Sequence, residues 1–585
     1  MNNVKSLWCV MMVFMASFCG IHAQTVEVLD KVNLKPVKHV LIYNKAKESA
    51  LTNDKGEAMI DHFSKDLKFY FQHPSFVNTV MSYDEIVKNN YVIKLRESVV
   101  DLDEVVVSAN RWEQNRKEVP NKITTISAKN ISFNNPQTSA DLLGQTDQVF
   151  VQKSQLGGGS PMIRGFATNR VLIVVDGVRM NNAIYRSGNL QNVISLDPNS
   201  IENAEVIFGP GAVIYGSDAI GGVMDFHTLR PEFASNGEKF LKVNLKGRYA
   251  TANSENTFHG DVNFGLKKWS FVTSATYSKF DDLEMGSHKH PEYTRPVYAE
   301  RVNGQDTILQ NKNEDLQRFS GYDQVNFMQK IRFKPGSKLD MTYGFHFSEL
   351  SDCPRYDRLI QYSDDRLKYA EWYYGPQKWM MNALDVNLYD TKLYDQARLS
   401  LAFQNYEESR HDRKLDKVFL RSRTENVDIF SANMDFDKEL GPKILLFYGG
   451  EFVANKIGSK GIQTNIVSGE KEEISSRYPD GSDWSSVAAY ISVKQKFTSK
   501  ITGTAGLRYN QIWLHADFDT SFFKFPFRDI NINTGALNGS LGFVLDAGKG
   551  FLFNLNFSTG FRAPNIDDVG KIFDSEPGKV VVPNE

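Results

Sequence analysis

Alternating apolar and polar positions dominate the second half of the chain. The clearest runs are residues 241–245, 397–404, 487–494 and 551–558, where hydrophobic side chains occupy every second position. A period of two predicts β-strands with one apolar and one polar or small face. Repeated over residues 238–585, it favours a transmembrane antiparallel β-barrel with lipid outside and a polar lumen. Soluble β-sandwiches also alternate, but rarely over such a length with lysine inward and phenylalanine outward.

Long polar stretches separate several of these runs. Residues 281–320, 350–380, 406–425 and 455–484 are expected to be extracellular connections, and the short Gly265–Trp269 segment a periplasmic turn. About ten embedded residues per strand would give about 12–15 strands in residues 238–585. An open sheet edge cannot lie in lipid. We therefore expect the barrel to be C-terminally truncated in this chain.

A glycine cluster marks a different kind of module before the barrel. Within Val206–Thr228, five glycines lie between two strand-like apolar segments. Glycine tolerates left-handed dihedrals and close backbone approach, so this density predicts a tightly turned, compact domain. A capped helix near Thr138 and a buried strand ending at the Asp176-Gly177 turn predict an α+β domain over residues 119–232.

The N-terminal region is organised differently again. Residues 1–23 have the charge, apolar run and small residue of a secretory signal peptide. Cys9 and Cys19 lie within it, so Cys353 would remain alone without an intrachain disulfide. Residues 24–98 contain short β-prone runs and turns, which predict a β-sandwich module. Residues 99–118 form a charged linker around a β-prone run, either a last strand of this module or a segment that adds to a partner's sheet edge.

Composition and motif searches exclude other classes of function. The net charge of −2 gives no basic field for nucleic acid. Outside the signal peptide there is no apolar run long enough for a membrane helix. The glycines fit neither G-x-x-x-x-G-K-[ST] nor G-x-G-x-x-G, and no hydrolase or metalloprotease motif occurs. The sequence therefore predicts no enzyme activity and no intrinsic cofactor.

Taken in order, these motifs resemble those of TonB-dependent outer-membrane receptors. The run that resembles a TonB box is Asp103, Glu104, Val105, Val106, Val107, Ser108 and Ala109. The residues that resemble the plug-domain motifs are Arg164, Gly165, Asp176, Gly177, Gly209, Pro210, Tyr215, Gly216, Gly221 and Gly222. The leading module resembles the carboxypeptidase-regulatory-like domain that precedes such receptors in Bacteroidetes-type bacteria.

Two positions depart from that pattern. Phe208 stands where the family often has arginine before Gly-Pro, and Asp225 stands where it often has asparagine. The first change removes one candidate for an ion pair between plug and barrel. Arg164 is then the better candidate to pair with a barrel carboxylate, since a buried charge needs a partner.

The resemblance implies a mechanism and a location. Such receptors are outer-membrane barrels, usually of 22 strands, that import a scarce ligand when TonB, energised by ExbB and ExbD, pulls on the box. The cargo would be haem, a siderophore or another metal chelate, offered free or by a haem protein. A cobalamin receptor, or a SusC-like glycan or peptide importer with a surface lipoprotein, are the alternatives.

Several residues are candidates for the ligand site. Phe561, Arg562, Ala563 and Pro564 resemble the F-R-A-P box of haem and haemoglobin receptors, although no histidine follows between residues 565 and 582. His288 and His290 could bind haem or a metal, or be solvated loop histidines. Tyr185 and Arg186 are expected in an apical plug loop. Arg410 and His411 are expected in a basic loop that suits an anion or is merely solvated.

Overall fold

The computed structural model describes residues 24–31, 34–44, 48–73, 76–95, 105–106, 112, 114–186, 193–234, 239–548, 551–576 and 579–581. The chain divides into two compact units, residues 1–104 and 105–585. Within the described ranges, no helix is both long and apolar enough to cross a membrane. The predicted signal peptide lies outside the described residues.

The first unit contains two small sheets. Its strands are β1 (Thr25–Asp30), β2 (Leu41–Tyr43), β3 (Ser49–Leu51), β4 (Glu57–Met59), β5 (Phe69–His73), β6 (Phe76–Met81) and β7 (Val92–Leu95), and helix α1 spans Tyr83–Lys88. The sheets have the orders β4-β1-β7 and β3-β2-β5-β6. Val26 and Val28 from one sheet share a buried core with Ile42, Phe69 and Phe71 from the other. Alternation in this region therefore corresponds to one buried and one exposed face.

The second unit begins with a domain of mixed structure. Its strands are β8 (Val105–Val106), β9 (Gln114–Asn115), β10 (Lys122–Ser127), β11 (Phe150–Gln152), β12 (Ser160–Ile163), β13 (Phe166–Ala167), β14 (Val171–Val175), β15 (Val178–Arg179), β16 (Ile201–Phe208) and β17 (Gly222–Thr228). Its helices are α2 (Ala128–Asn134), α3 (Ser139–Gly144) and α4 (Ala212–Tyr215). A sheet of order β10-β16-β17-β14-β15 forms its centre. All residues of β14 and β17 are buried, because both faces of this sheet are covered.

A long antiparallel sheet with its loop hairpins follows. The strands are β18 (Phe240–Ala250), β19 (Glu255–Gly265), β20 (Trp269–Phe280), β21 (Leu283–Glu284), β22 (Val297–Val302), β23 (Gln305–Gln310), β24 (Leu316–Gln317), β25 (Tyr322–Phe333), β26 (Leu339–Leu350), β27 (Cys353–Pro354), β28 (Tyr362–Ser363), β29 (Arg366–Leu367), β30 (Tyr369–Tyr374), β31 (Gln377–Tyr389), β32 (Gln396–Lys414), β33 (Phe419–Glu439), β34 (Ile444–Asn465), β35 (Lys471–Ile474), β36 (Asp483–Lys496), β37 (Ile501–Asp517), β38 (Asp529–Gly548), β39 (Phe551–Ser558), β40 (Phe573–Glu576) and β41 (Lys579–Val581). Two helical turns, α5 (Tyr356–Leu359) and α6 (Ile566–Val569), lie among them.

The barrel sheet is a meander in sequence order. Its path is β18-β19-β20-β25-β26-β31-β32-β33-β34-β36-β37-β38-β39. Apolar residues of the predicted outward set, such as Leu245 in β18 and Phe557 in β39, are exposed. The inward positions of β36, among them Ser486, Ala488 and Tyr490, are buried. Short turns join the strands at one end and most long connections lie at the other. In the architecture expected here, the short-turn end faces the periplasm.

One predicted loop is instead strand. Strand β32 continues to Lys414 and β33 begins at Phe419, so the connection is much shorter than the predicted range 406–425. The paired backbones are reinforced by an ion pair in which Arg421 Nε donates to Asp412 Oδ2 at 3.1 Å. Charged side chains misled the sequence prediction, because cross-strand pairing makes a charged run compatible with a strand.

The mixed domain packs against the inner wall of the barrel sheet. A single buried cluster combines Leu142 and Ile173 of this domain with Tyr322, Trp379 and Met381 of the barrel strands. The domain therefore occupies the lumen, as expected for a plug, and we call it the plug domain. Its contacts with the wall define the candidate site.

Candidate functional site at the interface of plug and barrel

Some glycines of the plug motifs lie in turns that contact the barrel wall, and others lie where the plug itself is tightly packed. Gly177 and Gly216 have positive φ angles of 89° and 77°, the region that favours glycine. Gly222 has no room for a side chain, since a Cβ would lie 2.3 Å from the Ile207 carbonyl oxygen. At Gly221 a Cβ would lie equally close to Phe166 Cβ. The glycine cluster therefore builds a compact plug.

The Asp176-Gly177 turn is held by three strands of the wall. Lys330 Nζ lies 2.9 Å and His346 Nε2 lies 3.4 Å from Asp176 Oδ2, and Arg398 Nη2 donates to the Asp176 carbonyl oxygen at 3.0 Å. Thr228 also donates to both carboxylate oxygens. Burial would raise the pKa of Asp176, but Lys330 and His346 outweigh it and hold this pKa well below its usual range.

A second turn of the plug is held by one barrel arginine. Arg508 is 1% exposed, and its Nη1 donates to the Ile214 carbonyl oxygen at 3.2 Å. Its Nη2 lies 2.8 Å from Glu451 Oε1, which balances the buried charge. A Cβ at Gly216 would lie 2.8 Å from the same guanidinium nitrogen. The guanidinium of Arg508 can therefore contact this turn because residue 216 is a glycine.

Arg164 does not make the predicted contact. It is exposed, with φ 49°, and its guanidinium lies 5.4 Å from the ring centre of Phe208. Lys122 Nζ lies 5.3 Å from the same ring. No ion pair of Arg164 occurs among the residues described, so the predicted pairing with a barrel carboxylate is wrong. Phe208, one of the two departures from the family pattern, instead accepts cation–π contacts.

The other departure, Asp225, lies inside the plug. It is 3% exposed, and the Tyr215 hydroxyl donates to its Oδ2 at 3.1 Å. The imidazole of His227 lies 3.9 Å from the same oxygen. Burial lowers the pKa of His227. Asp225 therefore ties the glycine-rich turn to strand β17.

Arg186 makes an ion pair between plug and wall that the sequence did not specify. Its Nη2 donates to Glu408 Oε1, and both side chains are almost fully buried. Arg410 Nη2 lies 3.1 Å from the same carboxylate oxygen of Glu408. The same nitrogen lies 3.8 Å from Glu425 Oε2. Tyr185 is half-buried, and desolvation raises the pKa of its hydroxyl. Both predicted plug residues thus lie at the wall.

Aromatic side chains cover this ion pair from the long-loop side. Tyr374 of β30 lies within 5.9 Å of three guanidinium groups, those of Arg186, Arg355 and Arg410. Trp372 packs edge-on against Tyr374 and also faces Arg355. We call Arg186, Arg355, Tyr374, Glu408 and Arg410 the apical cluster. It combines aromatic faces with buried positive charge.

His411 lies beside the apical cluster on strand β32. Its ring stacks on Tyr373 with centres 4.5 Å apart, and its Nδ1 lies 2.8 Å from Ser422 Oγ. Arg410 and His411 therefore lie in a strand and are half-buried, so the prediction that they lie in a loop is wrong. They lie in a strand because the backbones of β30 and β33 pair with that of β32.

The F-R-A-P segment lies against the plug. Asp218 N–H donates to the Phe561 carbonyl oxygen at 3.2 Å, and Ala563 N–H donates to Ser217 Oγ at 2.9 Å. Arg562 pairs with Asp568 of α6, and Trp484 Nε1 donates to the Pro564 carbonyl oxygen at 3.2 Å. This segment therefore connects the glycine-rich turn of the plug to the barrel wall.

Part of the predicted TonB box is described. Val105 and Val106 form β8, which pairs with β9, while 103–104 and 107–109 lie outside the described residues. Beyond β9, Glu118 contacts Lys494 at 2.7 Å and Lys496 at 2.5 Å, at the short-turn end of β36. Burial opposes ionisation, but the two lysines lower the pKa of Glu118 below its usual value. We call these contacts the periplasmic tether.

The loop histidines are far less constrained. His288 and His290 are exposed between β21 and β22, with His288 Nδ1 3.3 Å from Ser287 Oγ. The ring of His290 lies 6.2 Å from that of Tyr293. Over the described part of the chain, no group of three or more His, Cys, Asp or Glu residues is arranged to hold a metal ion. A role in haem or metal binding stays a prediction for both.

The wall residues that matter most were not singled out from the sequence. Lys330, His346, Glu408, Glu451 and Arg508 all occupy inward positions of strands whose other face is apolar. A charged residue at an inward position was the available signal. It could not be used alone, because many lumen positions are polar.

Two protein-family models match the second unit. The TonB-dependent receptor plug domain matches residues 115–223, and the TonB dependent receptor-like β-barrel matches residues 332–584. A solved structure of the Serratia marcescens hemophore receptor HasR, with its hemophore HasA and heme, is similar with a TM-score of 0.59. The alignment covers 80% of this chain and 67% of that chain at 14% identity, which shows the fold alone.

Curated relatives match shorter segments. The chain is 43% identical over 134 residues to the vitamin B12 transporter BtuB of Vibrio vulnificus (strain CMCP6), over 22% of this chain and 21% of that protein. It is 30% identical over 183 residues to the hemin receptor of Yersinia pestis, over 31% of this chain and 24% of that protein. The matches span about a fifth to a quarter of the relatives' lengths. With the plug-in-barrel fold, the two domain matches establish that this chain belongs to the TonB-dependent receptors, a family of outer-membrane β-barrel proteins.

Proposed function

We propose that this protein imports a metal chelate or haem across the outer membrane, driven by TonB. The observation that carries the proposal is the Arg186–Glu408 contact, which places a plug residue directly beneath the aromatic residues of the long-loop end. A ligand bound there would touch plug and wall together. Binding could thus change how the plug is held, as a transporter requires.

The apical cluster favours an anionic ligand with flat aromatic groups. Tyr374 and Trp372 offer ring faces and edges, on which such a ligand can stack. Arg186 Nη1 and Arg410 Nε are buried without a hydrogen-bond acceptor. A carboxylate or catecholate oxygen would supply one and form a charge-assisted hydrogen bond. Haem propionates and catecholate siderophores both fit this chemistry.

Cobalamin is the second candidate. The relative from Vibrio vulnificus is named as a vitamin B12 transporter, and the one from Yersinia pestis as a hemin receptor. Both names concern proteins that match only part of this chain, so they support a choice between cargoes rather than one cargo. Titration of purified receptor with haemin, a ferric catecholate and cyanocobalamin separates the candidates. A Soret shift that disappears in Arg186→Ala supports haem.

The energised step depends on the box segment. We infer that TonB pairs with residues 103–109 and that ExbB and ExbD energise TonB with the proton-motive force of the inner membrane. Deleting residues 103–109 should abolish energised uptake of the bound cargo while leaving its affinity unchanged. Uptake that survives the deletion contradicts the proposal. Replacing Asp61 and His62, an exposed pair in the N-terminal unit, provides a control of comparable polarity.

A further inference from the structure

Two glutamates face each other in the barrel wall, at the place where Arg186 of the plug contacts it. Glu408 of β32 and Glu425 of β33 are direct cross-strand partners, and they are 8% and 0% exposed. Like charges opposite each other on neighbouring strands destabilise a sheet. A buried carboxylate is also costly unless it is hydrogen-bonded. Both glutamates therefore need compensating contacts.

Only one of the two has them among the residues that the structure describes. Arg186 and Arg410 both donate to Glu408 Oε1, and the Tyr406 hydroxyl donates to Glu408 Oε2 at 3.0 Å. Neither oxygen of Glu425 has a hydrogen-bond donor in the described part of the chain. Arg410 Nη2 is 3.8 Å from Glu425 Oε2, too far for a hydrogen bond. Glu425 therefore keeps two unsatisfied acceptors.

The cations around Glu425 are committed to other groups. Arg477, whose charge also acts on Glu425, donates from Nε to the Tyr478 hydroxyl at 2.9 Å, and its Nη2 lies 3.6 Å from Asp567 Oδ1. Arg186 and Arg410 contact Glu408 through Nη2. Arg186 Nη1 and Arg410 Nε, as noted above, lack an acceptor within the described ranges. The apical cluster and Glu425 thus present donors and acceptors that do not satisfy each other.

A ligand group that satisfies both sets must accept and donate hydrogen bonds. A primary carboxamide does so, because its oxygen accepts and its NH2 group donates. An ionised carboxylate, such as a haem propionate, only accepts, and so do the oxygens of a ferric catecholate. Either would satisfy the guanidinium nitrogens but add negative charge beside Glu408 and Glu425. Glu425 is therefore the group that distinguishes these ligand classes.

We propose that Glu425 determines the chemical class of the cargo, by accepting a hydrogen bond from an N–H group next to the oxygen that Arg186 and Arg410 bind. The preferred cargo is a metal chelate whose edge carries primary carboxamides. The inference rests on the proposed function, because it assigns a chemical class to the ligand of the apical cluster. It ranks an amide-bearing chelate such as cyanocobalamin above haemin.

The same substitution at the two facing glutamates tests the unsatisfied acceptor without any cargo. In the purified receptor, Glu408→Gln should speed hydrogen exchange of the amides of residues 407–410 and 424–427 about tenfold, since it removes the anion that Arg186 and Arg410 bind. Glu425→Gln should leave this exchange unchanged or slow it, because it removes a buried charge that lacks hydrogen bonds. Equal acceleration by both variants would show that Glu425 is a structural partner of Arg410, and would overturn the proposal.

A matched pair of porphyrins tests the selectivity. Haemin is compared with its bis-amide, in which both propionates are primary carboxamides on the same macrocycle, by titration of the Soret band. The wild type should bind the bis-amide more tightly by about tenfold or more. Glu425→Gln should abolish this preference, because a glutamine amide offers a donor as well as an acceptor. Glu349→Gln is the control, since Glu349 is partly exposed and 3.6 Å from Lys378, and it should keep the preference.

A wild type that prefers haemin would overturn the assignment, as would a preference for the bis-amide that survives in Glu425→Gln. A receptor that binds neither porphyrin would count against haem in the proposed function. The exchange contrast between Glu408→Gln and Glu425→Gln would then still support or overturn the role of Glu425, because it is measured without cargo. Energised transport itself stands or fails in the uptake experiment on residues 103–109.

Discussion

The two ends of the plug–barrel interface are built from different chemistry. At the apical end, Arg186 and Glu408 are buried under aromatic rings, with guanidinium nitrogens left unsatisfied. At the periplasmic end, Arg332 and Arg398 are each matched by an aspartate around a polar cavity of about 450 Å³ between plug and wall. Under the proposed function, the unsatisfied guanidinium nitrogens at the apical end are the groups that a ligand would engage. The two ends of the interface therefore differ in how their buried arginines are satisfied.

The largest expected effect follows from breaking the apical ion pair. Arg186→Ala removes the closest cationic partner of the buried Glu408 and should destabilise the local plug–wall contact by about 3 kcal/mol. Hydrogen exchange of the amides of residues 183–186 measures this loss. The double variant Arg186→Met with Glu408→Gln should recover most of it. A single variant as protected as the wild type would contradict a buried, energetically coupled pair.

At the periplasmic end, Asp176→Asn removes the charge that holds Lys330 and His346. The variant loses a charge-assisted hydrogen bond and leaves Lys330 buried without its anion. We expect this to destabilise the local plug–wall contact by about 2 kcal/mol. Faster hydrogen exchange in β14 and β15 is the expected outcome. The control is Asp54→Asn, which breaks an ion pair with Lys38 whose side chains are both mostly exposed and should change little. Equal effects of the two variants would refute the wall contact.

The contact between Arg508 and the turn at Gly216, which lies between these two ends, should be weakened by a single added methyl group. Gly216→Ala brings a Cβ against Arg508 and forces an unfavourable positive φ, at a cost of about 1–3 kcal/mol. Limited proteolysis of the plug in the purified receptor reports the loosening. Gly247→Ala meets no atom within 4 Å and has no positive φ, so it should be neutral. Comparable proteolysis of both variants would show that Arg508 does not hold this turn.

The smallest effect concerns pH at the periplasmic tether. Because the folded pKa of Glu118 is lowered, its contribution is present above the ordinary carboxyl pKa and is lost as pH falls through the folded value. The contribution of such a partly exposed pair is about 1 kcal/mol or less. Acidification should therefore speed exchange of the amides of residues 114–118. Glu118→Gln should exchange faster at neutral pH and lose this pH dependence.

The local sequence pattern was sufficient to predict many of the helices and strands. Thr138 caps α3 together with Asp141, as its spacing predicted, and Val171–Val175 is a fully buried strand. The predictions failed where a partner distant in sequence determines the contact or the secondary structure of a residue. Arg164 stacks on Phe208 instead of pairing with the wall, and Arg410 lies in a strand because β33 pairs with β32.

The sequence by itself determined the strand periodicity, the glycine turns and the order of the domains, since these depend on backbone preferences and on neighbours two to four residues apart. Tertiary structure alone decided that Asp176 meets Lys330, and that Arg186 meets Glu408. Such contacts require the register of successive strands to bring inward positions to the height of a plug turn. That register is a property of the assembled sheet, so the contact of Arg508 with the turn at Gly216, the polar cavity and the apical cluster appear only in the folded molecule.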